Sequence, residues 1–219
     1  MQELISSLAI WALPVLFAIT LHEAAHGYAA RHFGDRTAEL AGRISLNPLR
    51  HIDPVGTLLI PGVILASSAL VGGSPMLFGW AKPVPVNFGR LRQPKADMLW
   101  VAAAGPLANL FMAVLWMLVL KLGFSLPENA YRLPLLRMAD AGVQINSVLM
   151  LLNLLPLPPL DGGRILVSLL PAGPAWKFAQ IEPYGFPILL LLLFTGILGD
   201  ILDPLMALFR FVLATVFGP

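Results

Sequence analysis

The 219-residue sequence contains no cysteine, which excludes disulfides, thiolate metal ligands and a cysteine nucleophile. Charge is scarce as well. Only 12% of the residues are charged and 58% are hydrophobic, whereas soluble globular chains carry about 25% charged residues. The formal net charge is only +2, with the basic residues scattered, so no nucleic-acid partner is expected. Polar stretches long enough for an added soluble domain are missing, as are internal repeats, heptads and low-complexity tails. The first apolar stretch also lacks a basic flank and a small-residue cleavage site. It opens Met-Gln-Glu and reads as a resident helix rather than a signal peptide. What is present, at a mean hydropathy of +0.80, is the composition of an all-α polytopic membrane protein.

A membrane helix needs about 20 predominantly apolar residues. Such stretches cover 4–32, 55–72, 98–123, 142–155 and 184–217. The last is long enough for two segments, with the break expected around Gly199, Asp200, Asp203 and Pro204. A short run at 165–170 follows Asp161. The expectation is about six transmembrane or re-entrant helices in one membrane-embedded domain over 1–219, with a core at 15–170 and C-terminal helices at 180–217. Arg31, Arg36, Arg43 and Arg50 follow the first helix, and Lys82, Arg90, Arg92 and Lys95 precede the third. Both groups read as cytoplasmic. Two cytoplasmic loops cannot flank one full crossing, so the segment between them, broken at Pro61-Gly62, is expected to turn back as a re-entrant hairpin, the alternative being that one basic loop lies outside. "GWAKPVPVNFG" reads as a small extended or β-hairpin element, because proline blocks helix and restricts the residue before it.

Ionisable residues are concentrated where the chain otherwise avoids them, in "LHEAAHGY". Positions i and i+4 share a helix face, so His22 and His26 can offer ring nitrogens to one ion. Glu23 lies about 100° around the helix from His22, which suits it to a water beside the ion rather than to ligation. This is the logic of H-E-x-x-H, in which the metal acidifies water and the Glu acts as general base. Buried His and Glu can also merely bond neighbouring helices. Three ionisable groups in five residues make that costly, at about 2.5–3.5 kcal/mol per charge in lipid. Catalytic zinc commonly takes three protein ligands and keeps one position open. His32 is six residues beyond His26, on a different face and beside Arg31, while His51, Glu39 and Asp53 lie in a polar, basic region. Asp161 sits in an apolar neighbourhood before two glycines, and it is the expected third ligand, a role compatible with capping the helix that follows.

HEAAH together with "NLLPLPPLDGG" resembles the site-2 protease family of intramembrane zinc metalloproteases (M50-type), whose pattern is HExxH with a distant N-x-x-P-x-x-x-x-D-G. Asn153, Pro156, Asp161 and Gly162 match that spacing. "AAGPLANL", with Gly105, Pro106 and Asn109, is similar to the family's G-P-x-x-N element, and "GRISLNPLRHIDPVGTLLIP" and "FGWAKPVPVN" to its compact prokaryotic branch without PDZ or CBS modules. The resemblance covers residues from about 15 to 170. It implies one Zn2+ per chain held by His22, His26 and Asp161, water activation by Glu23, and a substrate carbonyl bound by Asn153 with help from Asn109. An amide offers N–H donors where oxyanion charge develops, which makes those asparagine roles physically reasonable; asparagines also bond helices to one another. Gly105, Pro106, Asn109, Gln144, Asn146, Ser147 and Asn153 are expected to line a wet cavity for the hydrolytic water. An unwound substrate could add to the edge at 81–87, with Val84, Pro85 and Val86 as contacts, although an ordinary loop fits that stretch equally.

The expected activity is hydrolysis of peptide bonds within or near transmembrane segments of membrane-anchored protein substrates. The protein would be multi-pass in the cell (inner or plasma) membrane, with its site near the cytoplasmic side. A zinc or proton-coupled transporter and a non-proteolytic scaffold are the competing readings. A transporter would spread acids and histidines along several helices, and a scaffold would not need Glu23.

Overall fold

The computed structural model describes residues 2–59, 63 and 82–218. The long helices are α1 (Gln2–His32), α3 (Pro94–Ser125), α4 (Arg132–Asn153) and α8 (Ile197–Phe217). Shorter ones are α2 (Thr37–Leu40), α5 (Asp161–Leu169), α6 (Ala172–Ala179) and α7 (Glu182–Phe194). Helix α3 is central. It packs against α1, α4 and α5, and α8 closes against α3 and α4.

Local sequence explains the ends. Gly34, at φ +106°, lets the chain leave α1 through a conformation that L side chains rarely adopt. Helix α3 opens with proline at its first turn, and Asp97 accepts from Gln93 N–H at 2.7 Å, supplying one otherwise unpaired donor with a partner. Pro14 and Pro106 sit inside α1 and α3, where neighbouring helices can satisfy the backbone groups that a proline frees.

Two apolar clusters hold the bundle. At one end, Ala30, Leu91, Met98 and Val101 pack with Phe33 and Val86. At the other, Ala113, Met117, Val143 and Leu213 join α3, α4 and α8. Trp100, Leu107, Phe111 and Leu122 project outward from α3. That is no defect in lipid, which is as apolar as leucine; packing and interhelical hydrogen bonds do the joining instead.

Among the described residues, three helices are long and apolar enough to cross a membrane, within α1, α3 and α4. A fourth arises if α6 and α7, bent by 59°, form one broken span. The expectation of about six is thus met in part among the described residues. The C-terminal stretch breaks at Gly196, at φ +82°, rather than at 199–204. That leaves α7 with 13 residues, about 20 Å of helix, too short to span alone. Asp200, Asp203, Pro204 and Arg210 all lie inside α8, where the charges lower its apolarity. No β-strand occurs among the described residues, so the expected β-hairpin is not found there; 82–87 is non-helical chain ending in an extended Asn87. The Pro61-Gly62 hairpin lies outside the described residues.

The two basic groups meet at one end of the bundle. Arg43 Nη2 donates to Lys82 O at 2.6 Å and Lys82 N–H to His51 O at 2.9 Å, while the Arg92 guanidinium donates to His32 O and the Arg92 backbone N–H to Phe33 O at 3.0 Å.

Candidate metal centre

Helix α1 turns His22 and His26 toward α3, and α3 receives them with one face. Val101, Gly105 and Asn109 lie on that face, each one turn from the next. His26 Nδ1–H donates to Val101 O at 2.7 Å and His22 Nδ1–H to Asn109 Oδ1 at 2.6 Å. Gly105, between them, makes the close approach possible. A Cβ at 105 would stand 2.7 Å from His22 Nε2 and nearer still to His26 Nε2.

With each Nδ1 carrying the hydrogen, each neutral imidazole presents a bare lone pair at Nε2. The two Nε2 atoms are 3.1 Å apart, and each is 3.3 Å from Asp161 Oδ2. Asp161 comes from the first turn of α5, behind a loop that carries the cis Pro158–Pro159 peptide. The Gly162 that follows packs so closely on that loop that a Cβ would collide with the carbonyl of Leu154. All three residues are buried, at 7–8% exposure, and Asp161 Oδ2 has no hydrogen-bond donor.

Three lone-pair atoms this close repel one another unless a cation lies between them. Zinc bonds of about 2.0–2.1 Å in tetrahedral geometry put ligand atoms about 3.3 Å apart. The observed triangle has that size, and its donor set of two imidazoles and a carboxylate is a catalytic-zinc set with a position left open. The residues present fit the metal.

Other candidates are occupied elsewhere. Glu39 pairs with Arg31 and Arg36, and Asp53 accepts from the N–H groups of Val55 and Gly56. His51 is buried against Ser45 O at 2.8 Å, and His32 is exposed. Arg164 faces Glu182 at 3.7 Å.

Glu23 is half-buried beside the histidines. Its Oε2 accepts Val84 N–H at 2.7 Å, and Oε1 makes no hydrogen bond among the described residues. The stretch 82–87 is thus tied to α1 beside its two histidines. Its far end is tied by Asp35, fully buried just past α1, whose Oδ2 accepts Asn87 N–H at 2.6 Å. Burial pushes the Asp35 carboxyl up, but hydrogen bonds from Thr37 and Asn87 outweigh it and hold the group below the usual carboxylate range. Val84 is buried, Pro85 exposed, and Val86 half-buried against the cluster around Ala30.

The asparagines separate. Asn153, half-buried at the end of α4, donates one N–H to Leu149 O of its own helix at 2.9 Å. Asn109 is fully buried and donates to Ala18 O and Asn146 Oδ1, so both its N–H groups are committed inside the bundle. Asn146 and Ser147 are fully buried too, bonded to Gly142 O and Val143 O. The expected wet lining is, at these three positions, an internal hydrogen-bond network. Sequence reasoning missed the Val101 carbonyl, the Val84 N–H and Asp35. The first two are backbone groups without a residue signature; for Asp35, its place just past α1 was the available signal.

Comparison with known proteins bears on this geometry. Over 202 residues, 89% of this chain and 84% of the relative, it is 40% identical to "Putative zinc metalloprotease YwhC" of Bacillus subtilis. The chain belongs to the site-2 protease family of zinc metalloproteases. Two further site-2 protease relatives carry the name "Putative zinc metalloprotease Rip2". The one from Mycolicibacterium smegmatis is 34% identical over 84% of this chain and 66% of its own length. The one from Mycobacterium tuberculosis is 30% identical over 67% of this chain and 52% of its own length. No protein-family model matches the chain, and no solved structure does so significantly.

Proposed function

We propose that the protein is an intramembrane zinc endopeptidase acting on membrane-anchored proteins within or near their transmembrane segments. The observation that carries this reading is the buried triangle of His22 Nε2, His26 Nε2 and Asp161 Oδ2, sized for one zinc and adjoined by Glu23. Bound there, zinc supplies Lewis acidity, which brings the pKa of water toward about 7 and polarises a peptide carbonyl.

The chain's own residues do the rest. Glu23 uses Oε1 to take the proton of the attacking water, while Val84 N–H holds Oε2 and fixes the carboxylate's direction. Glu23 then returns the proton to the leaving amine nitrogen as the C–N bond breaks. Asn153 offers its second N–H, which has no acceptor among the described residues, to the carbonyl oxygen as charge grows on it. An unwound substrate pairs with the stretch containing Val84, Pro85 and Val86, where Val86 N–H and the Val84 and Val86 carbonyls have no partner among the described residues. Pro85 has no N–H, so the pairing is one-sided. A cavity of about 330 Å³ bordered by Val86, Phe88, Met98, Pro158 and Val167 receives substrate side chains there.

Both basic groups lie at the end of the bundle toward which His22 and His26 are displaced along α1. In a cell membrane the positive-inside bias supports a site near the cytoplasmic side. The comparisons do not favour the transporter or scaffold readings. The test is co-expression with a panel of tagged single-pass membrane proteins. Wild type cleaves at least one and Glu23→Gln cleaves none; a panel processed equally by both defeats the mechanism.

A further inference from the structure

Asn109 and Asn146 carry a hydrogen-bond polarity that ends at the metal-facing nitrogen of His22. A side-chain amide can be turned either way, and an imidazole can carry its hydrogen on either nitrogen. At this site fixed backbone groups settle both choices. Gly142 O can only accept, so Asn146 must turn its Nδ2 toward it, at 2.8 Å. That points Asn146 Oδ1 at Asn109, which must answer with Nδ2, at 3.0 Å. Ala18 O, also only an acceptor, demands the same orientation of Asn109, at 3.2 Å. Asn109 therefore presents Oδ1 to His22, the short 2.6 Å contact requires the hydrogen on Nδ1, and the lone pair is left at Nε2.

We infer that Asn109 and Asn146 are positioning residues that hold His22 in its metal-binding tautomer, with Asn109 acting on His22 directly and Asn146 acting through Asn109. This rests on the zinc reading above and replaces substrate contact as the role of Asn109. Both residues are 0% exposed and every polar group of the relay has a partner, so no orientation other than this one is satisfied. If Asn109 turned over, its N–H would face His22 Nδ1. The ring hydrogen would then move to Nε2, where it would compete with the metal. His26 needs no such relay, because Val101 O is a backbone acceptor that cannot turn over.

The experiment uses the full chain purified in detergent. Zinc affinity is measured by chelator competition, and the cobalt-substituted protein is read by visible absorption and by the shifted ring N–H proton signals of the two histidines. Asn109→Leu is expected to weaken zinc binding about 10–100-fold, the range for losing a ligand's orienting partner. It should displace the His22 ring N–H signal and leave the His26 signal in place. Asn146→Leu should give a smaller loss with the same one-sided change in signals. Unchanged affinity with an unchanged His22 signal in Asn109→Leu would overturn the inference. Should that variant fail to fold, Asn146→Leu decides by the same two readings. A wild type that takes up no zinc would sink the zinc reading itself, a result distinct from wild type and Asn109→Leu binding equally.

Discussion

The two ends of the α1–α3 contact solve one problem in different ways. At the Met98 end, His26 leans on Val101 O, a group supplied by whatever residue stands at 101. At the Asn109 end, His22 leans on a side chain that two backbone carbonyls and a second asparagine orient. Gly105 lies between and lets both rings reach the same point. One half of the site is robust to substitution and the other depends on sequence, though the two histidines belong to one five-residue motif.

The comparison is broken most completely at its midpoint. Gly105→Val leaves every ligand in place but drives carbon into the space of both Nε2 atoms. Zinc binding should be lost in metal analysis of the purified, folded protein, and retention of zinc would mean that α1 and α3 can separate without harm. Next in size is Glu23→Gln. It should lower proteolysis about 10²–10⁴-fold, the range for a general base, while zinc content stays at the wild-type level. Loss of zinc together with activity would instead make Glu23 part of the metal set.

The asymmetry is sharpened at position 101. Val101→Ala keeps the carbonyl, so zinc affinity by chelator competition should stay close to wild type, in contrast to Asn109→Leu. Equal losses at 101 and 109 would erase the distinction. The smallest expected effect is at Asp35, which holds the far end of the stretch beside Glu23. Asp35→Asn should speed hydrogen exchange at Asn87 N–H by about tenfold, the worth of one charge-assisted bond. Because the Asp35 carboxyl is held below its ordinary value, its contribution is complete above about pH 3.9 and fades only as pH falls through the lower folded value. Protection of Asn87 that already fades above that pH would contradict the sign.

What the sequence made legible was chemistry at fixed spacing. His22 and His26 could be read as one helical face with Glu23 beside it, and Asp161 as an acid out of place in apolar surroundings. Backbone partners could not be read, because Val101 O and Val84 N–H carry no signature of residue type. Asn109 was legible as a candidate, but not the Ala18 carbonyl and the Asn146 amide that orient its side chain. Along the C-terminal stretch, Pro204 suggested a break that the helix in fact absorbs, and Gly196, the residue able to take φ +82°, makes the break instead. Where a helix ends was less legible than apolarity: the runs at 165–170 and 184–194 are apolar enough for lipid but lie in helices too short to cross it alone.

The most direct test is the zinc content of the detergent-purified chain, wild type beside Asp161→Ala. The account predicts about one zinc per wild-type chain and little in the variant. A full complement of zinc in Asp161→Ala, or none in folded wild type, would contradict it.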